Sequence, residues 1–371
     1  MKFDSFKSTC TGSFPHLDGK EISQKLIDTL DIPAWPQLPK VSFRESMYNQ
    51  YSRGMPRLVV DEVNNKIIFN SEGDLSDDLL PFYEHYLAGD PDAFALTREY
   101  AAGFFDMLEL LKDAPGDWVK GHVTGPVSFS LMITDQDLQP SLYIPELADV
   151  ITKNMEMTAR WQVRQLKAIK ENVIVFVDEP YMAQFGSAFI SLSREEALGM
   201  MNEVFNAISE EGAISGVHCC ANTDWSVLLE SHVQILNLDA YGYMENLALY
   251  PAELRAFLDR GGLIAWGLIP TDENVFTETG ESLAAKWHAG IDELVEKAEK
   301  RGVKIEKEEF YTRSLISPSC GLGTGSIELA ERAIELVGET CATLKLFRLE
   351  ISLQSTVEEA RRGIFTLGIV N

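Results

Sequence analysis

Short apolar runs alternate with longer amphipathic stretches along the chain from Trp118 onward. The runs end in Gly, Pro, Asp, Cys or Asn, a pattern typical of β-strands joined by α-helices in a parallel sheet. They predict strands at 118–124, 173–178, 215–220, 233–239, 263–269 and 313–317. Ser193 and Glu196 have capping-box spacing and predict a helix that ends near Glu211. Another helix is predicted by the helical spacing of Leu329, Ala333, Leu336, Val337 and Leu344.

The fold predicted from this pattern is α/β, a (β/α)8 TIM barrel with an elaborated amino-terminal segment. Residues 8–13 supply a seventh strand and residues 58–63 are the candidate eighth, although Asn64 and Asn65 followed by residues 66–69 equally indicate a hairpin. An open doubly wound sheet is the alternative. The barrel is favoured because polar and reactive residues follow nearly every strand, as a barrel active site requires.

The length is consistent with one barrel. A barrel needs about 250 residues before insertions, so the 371 residues are expected to form a single domain, 1–371, with an amino-terminal insertion at about 19–117. No internal repeat or low-complexity tract indicates a second domain.

Composition narrows the class of function. The chain has 32 Lys and Arg against 57 Asp and Glu, a formal charge of −25 at pH 7, which repels phosphate backbones and argues against a nucleic-acid partner. The amino terminus has no apolar run suited to a secretory signal, and the longest apolar runs fall short of the roughly 20 residues that cross a bilayer. We therefore expect a cytoplasmic protein without a membrane partner, whose five cysteines are reduced thiols.

The residues that most strongly indicate a functional site lie at the end of the predicted strand 215–220. Side chains alternate between the two faces of a strand, so His218 and Cys220 point the same way and Cys219 points to the opposite face. One imidazole and one thiolate therefore converge at the end of this strand. A cysteine that packs as a small core residue is the alternative at each position, and it is our expectation for Cys10, Cys219 and Cys341.

Two further residues are predicted to lie on the same rim. Cys320 lies in a glycine-rich turn after the last strand, and Asp239 ends the strand at 233–239. Because the carboxyl ends of barrel strands share one rim, the imidazole, two thiolates and a carboxylate can surround one ion. Zinc accepts nitrogen, sulfur and oxygen ligands in a tetrahedron. The sequence therefore predicts a zinc site formed by His218, Cys220, Asp239 and Cys320.

Candidate substrate-binding residues end two other strands. Asp178 and Glu179 face opposite ways, so one carboxylate enters the mouth of the barrel, where it suits an ammonium group such as that of an amino acid. A salt bridge or a helix cap is the alternative role for these carboxylates. Gly12 and Ser13 end the first strand and offer backbone amides and a hydroxyl suited to a carboxylate.

Five short motifs occur in order along the chain: T-G-S-F-P at 11–15, G-P-V-S at 125–128, V-D-E-P at 177–180, H-x-C at 218–220 and S-P-S-C-G-L at 317–322. In this order they resemble the carboxyl-terminal barrel of cobalamin-independent methionine synthase. More broadly they resemble the superfamily that joins this enzyme to uroporphyrinogen decarboxylase and to the zinc methyltransferases that work with corrinoids. The resemblance covers residues 8–344.

The resemblance implies a set of metal ligands. His218, Cys220 and Cys320 would bind zinc, and Asp239 stands where the synthase has a glutamate ligand. A zinc-bound thiol has a lowered pKa and attacks a methyl group as a thiolate, so the implied activity is methyl transfer to sulfur.

The resemblance also implies how the substrate is held. Gly12 and Ser13 would bind the carboxylate of homocysteine, and Asp178 would bind its amino group. A substrate-binding glutamate of the family would correspond to Glu62 or Glu45.

Two departures from the family bear on the methyl donor. The 371 residues leave no room for the second barrel of the full-length synthase, and residues 266–271 lack the histidine thought to protonate the folate leaving group. His288 falls in a predicted helix. The chain is therefore expected to resemble the short synthases that take the methyl group from a corrinoid, methylcobalamin or a corrinoid carrier protein, because a cobalt leaving group needs no proton.

Other functions use the same residues. Methyltetrahydrofolate is the alternative donor, and coenzyme M or another small thiol is the alternative acceptor. A metal-free porphyrinogen decarboxylase would need clustered arginines, whereas Arg44, Arg53 and Arg57 are dispersed. A non-catalytic zinc module that docks a corrinoid protein would leave Asp178 and Ser13 without a small molecule to hold.

Overall fold

The computed structural model describes residues 6–188 and 190–367, and from residue 350 onward it gives the backbone alone. The strands are β1 (Lys7–Ser8), β2 (Leu58–Asp61), β3 (Lys66–Phe69), β4 (Trp118–Thr124), β5 (Thr134–Asp135), β6 (Asn172–Asp178), β7 (Ile214–Cys219), β8 (Ile235–Leu238), β9 (Leu263–Ile269) and β10 (Ser314–Pro318).

The α-helices of the described residues are α1 (Gly19–Thr29), α2 (Ser76–Leu87), α3 (Ala102–Leu111), α4 (Pro126–Met132), α5 (Pro145–Lys167), α6 (Arg194–Glu210), α7 (Trp225–Glu230), α8 (Ala240–Tyr243), α9 (Pro251–Asp259), α10 (Gly280–Lys300), α11 (Lys307–Thr312) and α12 (Ile327–Leu367). Short 3-10 helices lie at Phe43–Glu45, Asn49–Tyr51, Pro91–Phe94, Ser141–Tyr143, Pro180–Gln184, Met244–Leu249 and Glu273–Phe276. The helix that begins at the Ser193 capping box is confirmed as α6, and the helical spacing after Leu329 is confirmed by α12.

Seven strands form one curled parallel sheet in the order β1, β10, β9, β8, β7, β6, β4. All neighbouring pairs in this sheet are parallel. Its strands are largely buried on both faces, as expected where helices cover one side and side chains fill the other. The α/β class and the six strands predicted from residue 118 onward are confirmed, with bounds that differ by at most two residues.

Apolar side chains fill the concave side of the sheet below the carboxyl ends of the strands. Ile174, Phe176 and Ile235 belong to a fully buried cluster there. A Cβ atom on Gly216 would lie 2.2 Å from the ring of Phe176, so the neighbouring strand needs glycine at this position. Because this cluster fills the space below, polar side chains on the concave face can reach a cavity only at the carboxyl ends of the strands.

The predicted eighth strand is wrong. Residues 58–63 do not join the parallel sheet, because β2 pairs antiparallel with β3, and β3 continues into a separate three-stranded sheet with β5. The hairpin around Asn64 and Asn65 was the alternative, and the backbone confirms it with Asn65 at a φ of 51°.

An extended segment at 32–37 lies between β1 and β4 instead. The Ile32 amide donates to the Ser8 carbonyl at 3.0 Å, and the Lys120 amide donates to the Pro33 carbonyl at 2.8 Å. Prolines in the segment cannot donate backbone hydrogen bonds and so interrupt a ladder. In the described residues the sheet therefore has seven strands and a bridged gap rather than an eight-stranded closed ladder.

None of the helices in the described residues combines the length and apolar character that would let it cross a membrane.

Part of the amino-terminal segment packs over the carboxyl ends of the strands. The Thr124 hydroxyl donates to the Met47 carbonyl at 2.5 Å, and the Tyr51 hydroxyl donates to the His122 carbonyl at 2.7 Å. Glu45 is buried and accepts from the amides of Leu38 and Ala102, each at 3.3 Å. These bonds fix residues 43–52 against the sheet.

The burial of Glu45 makes stability depend on pH. Burial raises the pKa of Glu45 from 4.5 to about 7, so the folded protein holds this proton at pH values where the unfolded chain has released it. The stability that the protonated Glu45 contributes to the folded state is complete below pH 4.5 and is lost as the pH rises through 7. In wild type the free energy of unfolding should fall between pH 5 and pH 8, and in Glu45→Gln this fall should be smaller by about 1–3 kcal/mol. The measurement is denaturant unfolding at the two pH values.

Glu62→Gln is the matched control. Glu62 is exposed and pairs with Arg44, so its replacement should leave the slope of stability against pH unchanged. Wild type and Glu45→Gln profiles that run parallel between pH 5 and pH 8 would contradict the assignment.

Candidate metal and substrate site

The candidate site begins with a row of side chains at the carboxyl ends of adjacent strands. The register places Asp178 of β6 beside His218 of β7, and His218 beside Asn237 of β8. Register neighbours in a parallel sheet point to the same face. An acid, an imidazole and an amide therefore face the same side, above the apolar cluster.

The structure brings together three of the predicted metal ligands. A ring nitrogen of His218 and the sulfur atoms of Cys220 and Cys320 all lie within 4.8 Å of one another. His218 Nδ1 lies 2.7 Å from Asn237 Oδ1, whereas His218 Nε2 is buried without a hydrogen-bond partner. The nitrogen available to the two sulfurs is therefore Nε2.

Cys320 reaches this position because the backbones approach closely. A Cβ atom on Gly267 of β9 would lie 2.8 Å from the Cα atom of Ser319, so glycine is required where the turn after β10 crosses over. The Thr11 hydroxyl donates to the Cys320 carbonyl at 2.9 Å. The turn is thus pinned to the segment that follows β1, whose strand ends at Ser8 rather than at the predicted residue 13.

The two sulfur atoms shift each other's pKa in opposite directions. A hydrogen bond from Cys220 lowers the pKa of Cys320 against the opposing effect of burial, and contact with His218 lowers it further. The same hydrogen bond, together with burial, raises the pKa of Cys220. Burial lowers the pKa of His218, but its contacts with Cys320 and Asp178 outweigh burial and raise it. One nitrogen and two sulfurs that meet in this way are ligand types that zinc accepts.

Asp239, the predicted fourth ligand, lies outside this three-atom group. Its side chain caps α8, and Oδ1 accepts from the Gly242 amide at 2.8 Å. Its role as a metal ligand stays a prediction. Cys10, Cys219 and Cys341 are buried, as we expect of packing residues.

A cavity of about 240 Å³ opens beside the three ligand atoms. It is lined by the predicted residues Gly12, Ser13, Asp178, His218, Cys220 and Cys320, and also by Thr11, Gln37, Met47, Pro180, Gly321, Gly323 and Thr324. All of the predicted site residues except Asp239 therefore share one cavity. Asp178 is the one acidic residue among those described that line it.

The two neighbouring carboxylates of the V-D-E-P motif have separate roles. Asp178 lines the cavity, whereas Glu179 is fully buried and accepts from the Ser128 amide at 2.7 Å at the start of α4. Burial raises the pKa of Asp178, and the nearby His218 and Lys120 side chains oppose that rise. The helix-cap alternative thus applies to Glu179, and the ammonium-binding prediction concerns Asp178.

Glycines shape the wall of the cavity opposite Asp178. A Cβ atom on Gly323 would lie 2.0 Å from Ser13 Oγ, and one on Gly12 would lie 2.2 Å from the ring of His122. The two turns can therefore pack closely enough for the Ser13 hydroxyl to reach the cavity.

Neither candidate for the substrate-binding glutamate lines the cavity. Glu45 is held by backbone amides, and Glu62 is exposed and pairs with Arg44. Gln37 occupies the wall instead, and its Nε2 donates to Gln50 Oε1 at 2.7 Å. Prolines on both sides of Gln37 made its segment resemble a loop in the sequence, so strand patterning did not find it.

The arginines considered for a decarboxylase have partners elsewhere. Arg44 donates to Glu62, Arg53 to the Ala95 carbonyl and Arg57 to the Glu72 carbonyl. None of these arginines lines the cavity.

Sequence reasoning also missed Asn237, the partner of His218. Asn237 lies two residues before Asp239 and therefore on the same face of β8, so strict alternation from Asp239 identifies it. His288, the histidine considered as a proton donor, lies in α10 with Nδ1 3.0 Å from the Tyr311 hydroxyl.

Comparison with known proteins shows that this chain shares its fold with two solved structures. The chain matches no model of a known protein family and no curated protein. It is similar to the structure of a B12-independent methionine synthase from Shewanella sp. W3-18-1 in complex with selenomethionine, with a TM-score of 0.54 and 15% identity, covering 93% of this chain and 99% of that chain. It is also similar to a methyltransferase from Methanosarcina mazei, with a TM-score of 0.54 and 12% identity, covering 94% of each chain. The chain therefore has the fold found in these two proteins.

Proposed function

We propose that the protein is a zinc-dependent methyltransferase that transfers a methyl group to the sulfur of a small thiol, most simply homocysteine. The observation that carries the proposal is the convergence of His218, Cys220 and Cys320 within 4.8 Å beside a cavity of amino-acid size. The fold shared with a methionine synthase and a methyltransferase supports the same conclusion.

The residues present fit a zinc ion. His218 Nε2 is buried without a partner, which costs a free polar group about 1–3 kcal/mol, and a cation would remove that cost. One nitrogen and two sulfurs leave a fourth position open, as catalytic zinc sites do. When bound, zinc supplies a Lewis acid that lowers the pKa of a thiol.

The cavity residues would hold an amino-acid thiol at both ends. Asp178 is an acceptor for an ammonium group, and Gln37 of the same cavity has a free amide oxygen as a second acceptor, since the Gln37 Nε2 is bonded to Gln50. Ser13 and the amides around Gly12 and Gly323 are donors for a carboxylate. These contacts would place the sulfur of the substrate toward the open side of the ligand group and orient it for attack.

A corrinoid is our proposed methyl donor. The described residues that line the cavity include one histidine, His218, and we assign it to the metal, so no second histidine there could protonate a leaving group. A corrinoid that has given up its methyl group leaves as cob(I) without needing a proton, whereas the nitrogen of methyltetrahydrofolate needs one. A free corrinoid or a corrinoid carrier protein would satisfy this chemistry.

We further propose that the whole chain forms one (β/α)8-type barrel. Segment 32–37, bonded on one side to β1 and on the other to β4, would take the place of the second strand. The rest of the insertion at about 19–117 would then serve to cover the mouth and supply Met47 to the cavity wall.

Zinc content tests the ligand set. We expect wild type to bind one equivalent of zinc and Cys320→Ser to bind almost none, because a serine hydroxyl does not ionise near neutral pH. The measurement is metal analysis after dialysis against excess zinc and removal of free metal.

Two variants serve as controls for zinc content. Cys219→Ser changes the adjacent cysteine on the opposite face and should keep a full equivalent. Asp239→Asn should also keep it if the three grouped residues suffice, whereas loss of zinc in this variant would identify Asp239 as the predicted fourth ligand. Full zinc content in Cys320→Ser would rule out the proposed site.

A donor assay decides the source of the methyl group. Zinc-loaded protein incubated with homocysteine should form methionine from methylcobalamin and none from methyltetrahydrofolate, because the described cavity has no histidine besides His218 to protonate the departing folate nitrogen. Methionine is quantified by mass spectrometry, with Cys320→Ser as the background control. Formation of methionine from the folate alone would overturn the proposed donor.

Asp178 should control recognition of the amino group. We expect Asp178→Asn to raise the KM for homocysteine roughly 10- to 100-fold, the loss of one charge-assisted hydrogen bond. The matched measurement uses 4-mercaptobutyrate, which is homocysteine without its amino group, and for which wild type and variant should have similar KM values. An unchanged KM for homocysteine, at equal zinc content, would show that Asp178 does not bind the amino group, and would indicate a natural acceptor without one.

A further inference from the structure

Asn237 is fully buried at the carboxyl end of β8, directly beside His218. Its Oδ1 lies 2.7 Å from His218 Nδ1. The residue does not line the cavity and so does not face the substrate. Its side chain contacts three residues of other strands in the sheet, and these contacts determine which way its amide is turned.

The amide of Asn237 has one permitted orientation. Its Nδ2 lies 2.7 Å from the Ala265 carbonyl oxygen, which can only accept a hydrogen bond. Nδ2 also lies 3.0 Å from Ser317 Oγ, and that hydroxyl in turn donates to the Pro318 carbonyl. Turning the amide over would place two oxygens together at Ala265. Oδ1 must therefore face His218.

This orientation determines the tautomer of His218. Asn237 Oδ1 has no proton, so the 2.7 Å contact requires that His218 Nδ1 donate. A neutral imidazole with a proton on Nδ1 has its lone pair on Nε2. Nε2 is the buried nitrogen without a hydrogen-bond partner, on the side of Cys220 and Cys320.

We propose that Asn237 is a positioning residue that holds His218 as the Nδ1–H tautomer with Nε2 presented to the metal. The inference rests on the proposed function, because it assigns Asn237 to the same zinc site. Asn237 lies in β8, and its amide is held by Ala265 of β9 and Ser317 of β10. It therefore links the site to these three strands. Partners of this kind change metal affinity by 10- to 100-fold when they are removed.

Paired variants test the role of the acceptor oxygen. Asn237→Ala removes the acceptor and should weaken zinc binding 10- to 100-fold, measured by competition with a chromophoric chelator. Asn237→Asp keeps an acceptor beside His218 Nδ1 but loses the bond to the Ala265 carbonyl, so it should weaken zinc binding clearly less than Asn237→Ala does. Cobalt(II) loaded in place of zinc should give the wild-type absorption spectrum in Asn237→Asp and a shifted spectrum in Asn237→Ala.

A matched pair at the surface provides the control. His232 Nδ1 lies 2.8 Å from Asn206 Oδ1, the same contact far from the sulfurs. Asn206→Ala should leave zinc affinity and the cobalt spectrum unchanged. Wild-type zinc affinity in Asn237→Ala, or equal weakening in Asn237→Ala and Asn237→Asp, would overturn the proposal.

A second measurement needs no variant and applies even where Asn237→Ala fails to fold. Two-bond proton–nitrogen spectra of zinc-loaded protein labelled at histidine nitrogen should show one ring bound through Nε2 with a proton retained on Nδ1. Coordination through Nδ1 would overturn the role of Asn237. Absence of zinc binding by wild type would instead refute the proposed function, and with it the basis of this inference.

Discussion

The parallel register of the central sheet is the constraint on which the candidate site depends. Hydrogen bonds between β6, β7 and β8 place Asp178, His218 and Asn237 side by side, although 59 residues separate the first from the last. A shift of one residue in any strand would turn its side chain to the opposite face. The apolar cluster below opposes such a shift, because it would expose buried side chains and bury polar ones.

Alternation along each strand then assigns different tasks to adjacent residues of similar chemistry. Asp178 lines the cavity while Glu179 caps α4. Cys220 joins the ligand group while Cys219 packs in the core. In both pairs the outward residue stabilises the fold and the inward residue is available for binding, so each pair ties the site to the scaffold that supports it.

Two groups of hydrogen bonds hold the polar layer of the sheet. Asn237 contacts His218, Ala265 and Ser317, and the turn that bears Cys320 is bonded to Thr11. A buried imidazole held at one nitrogen by such a set loses little conformational freedom when its other nitrogen binds a ligand. This preorganisation is the physical basis for regarding the group as a site rather than a chance cluster.

The sequence by itself determined the elements with local patterns: the six strands from residue 118 onward, the capped helix α6, and the facing of His218 with Cys220. Each of these depends on residues within one turn or one strand of each other. The tertiary structure decided that segment 32–37, not residues 58–63, lies beside β1, and that Gln37 rather than Glu45 lines the cavity. Those outcomes depend on hydrogen bonds between residues distant in the chain, and the prolines of this segment remove the local signal that would have identified it.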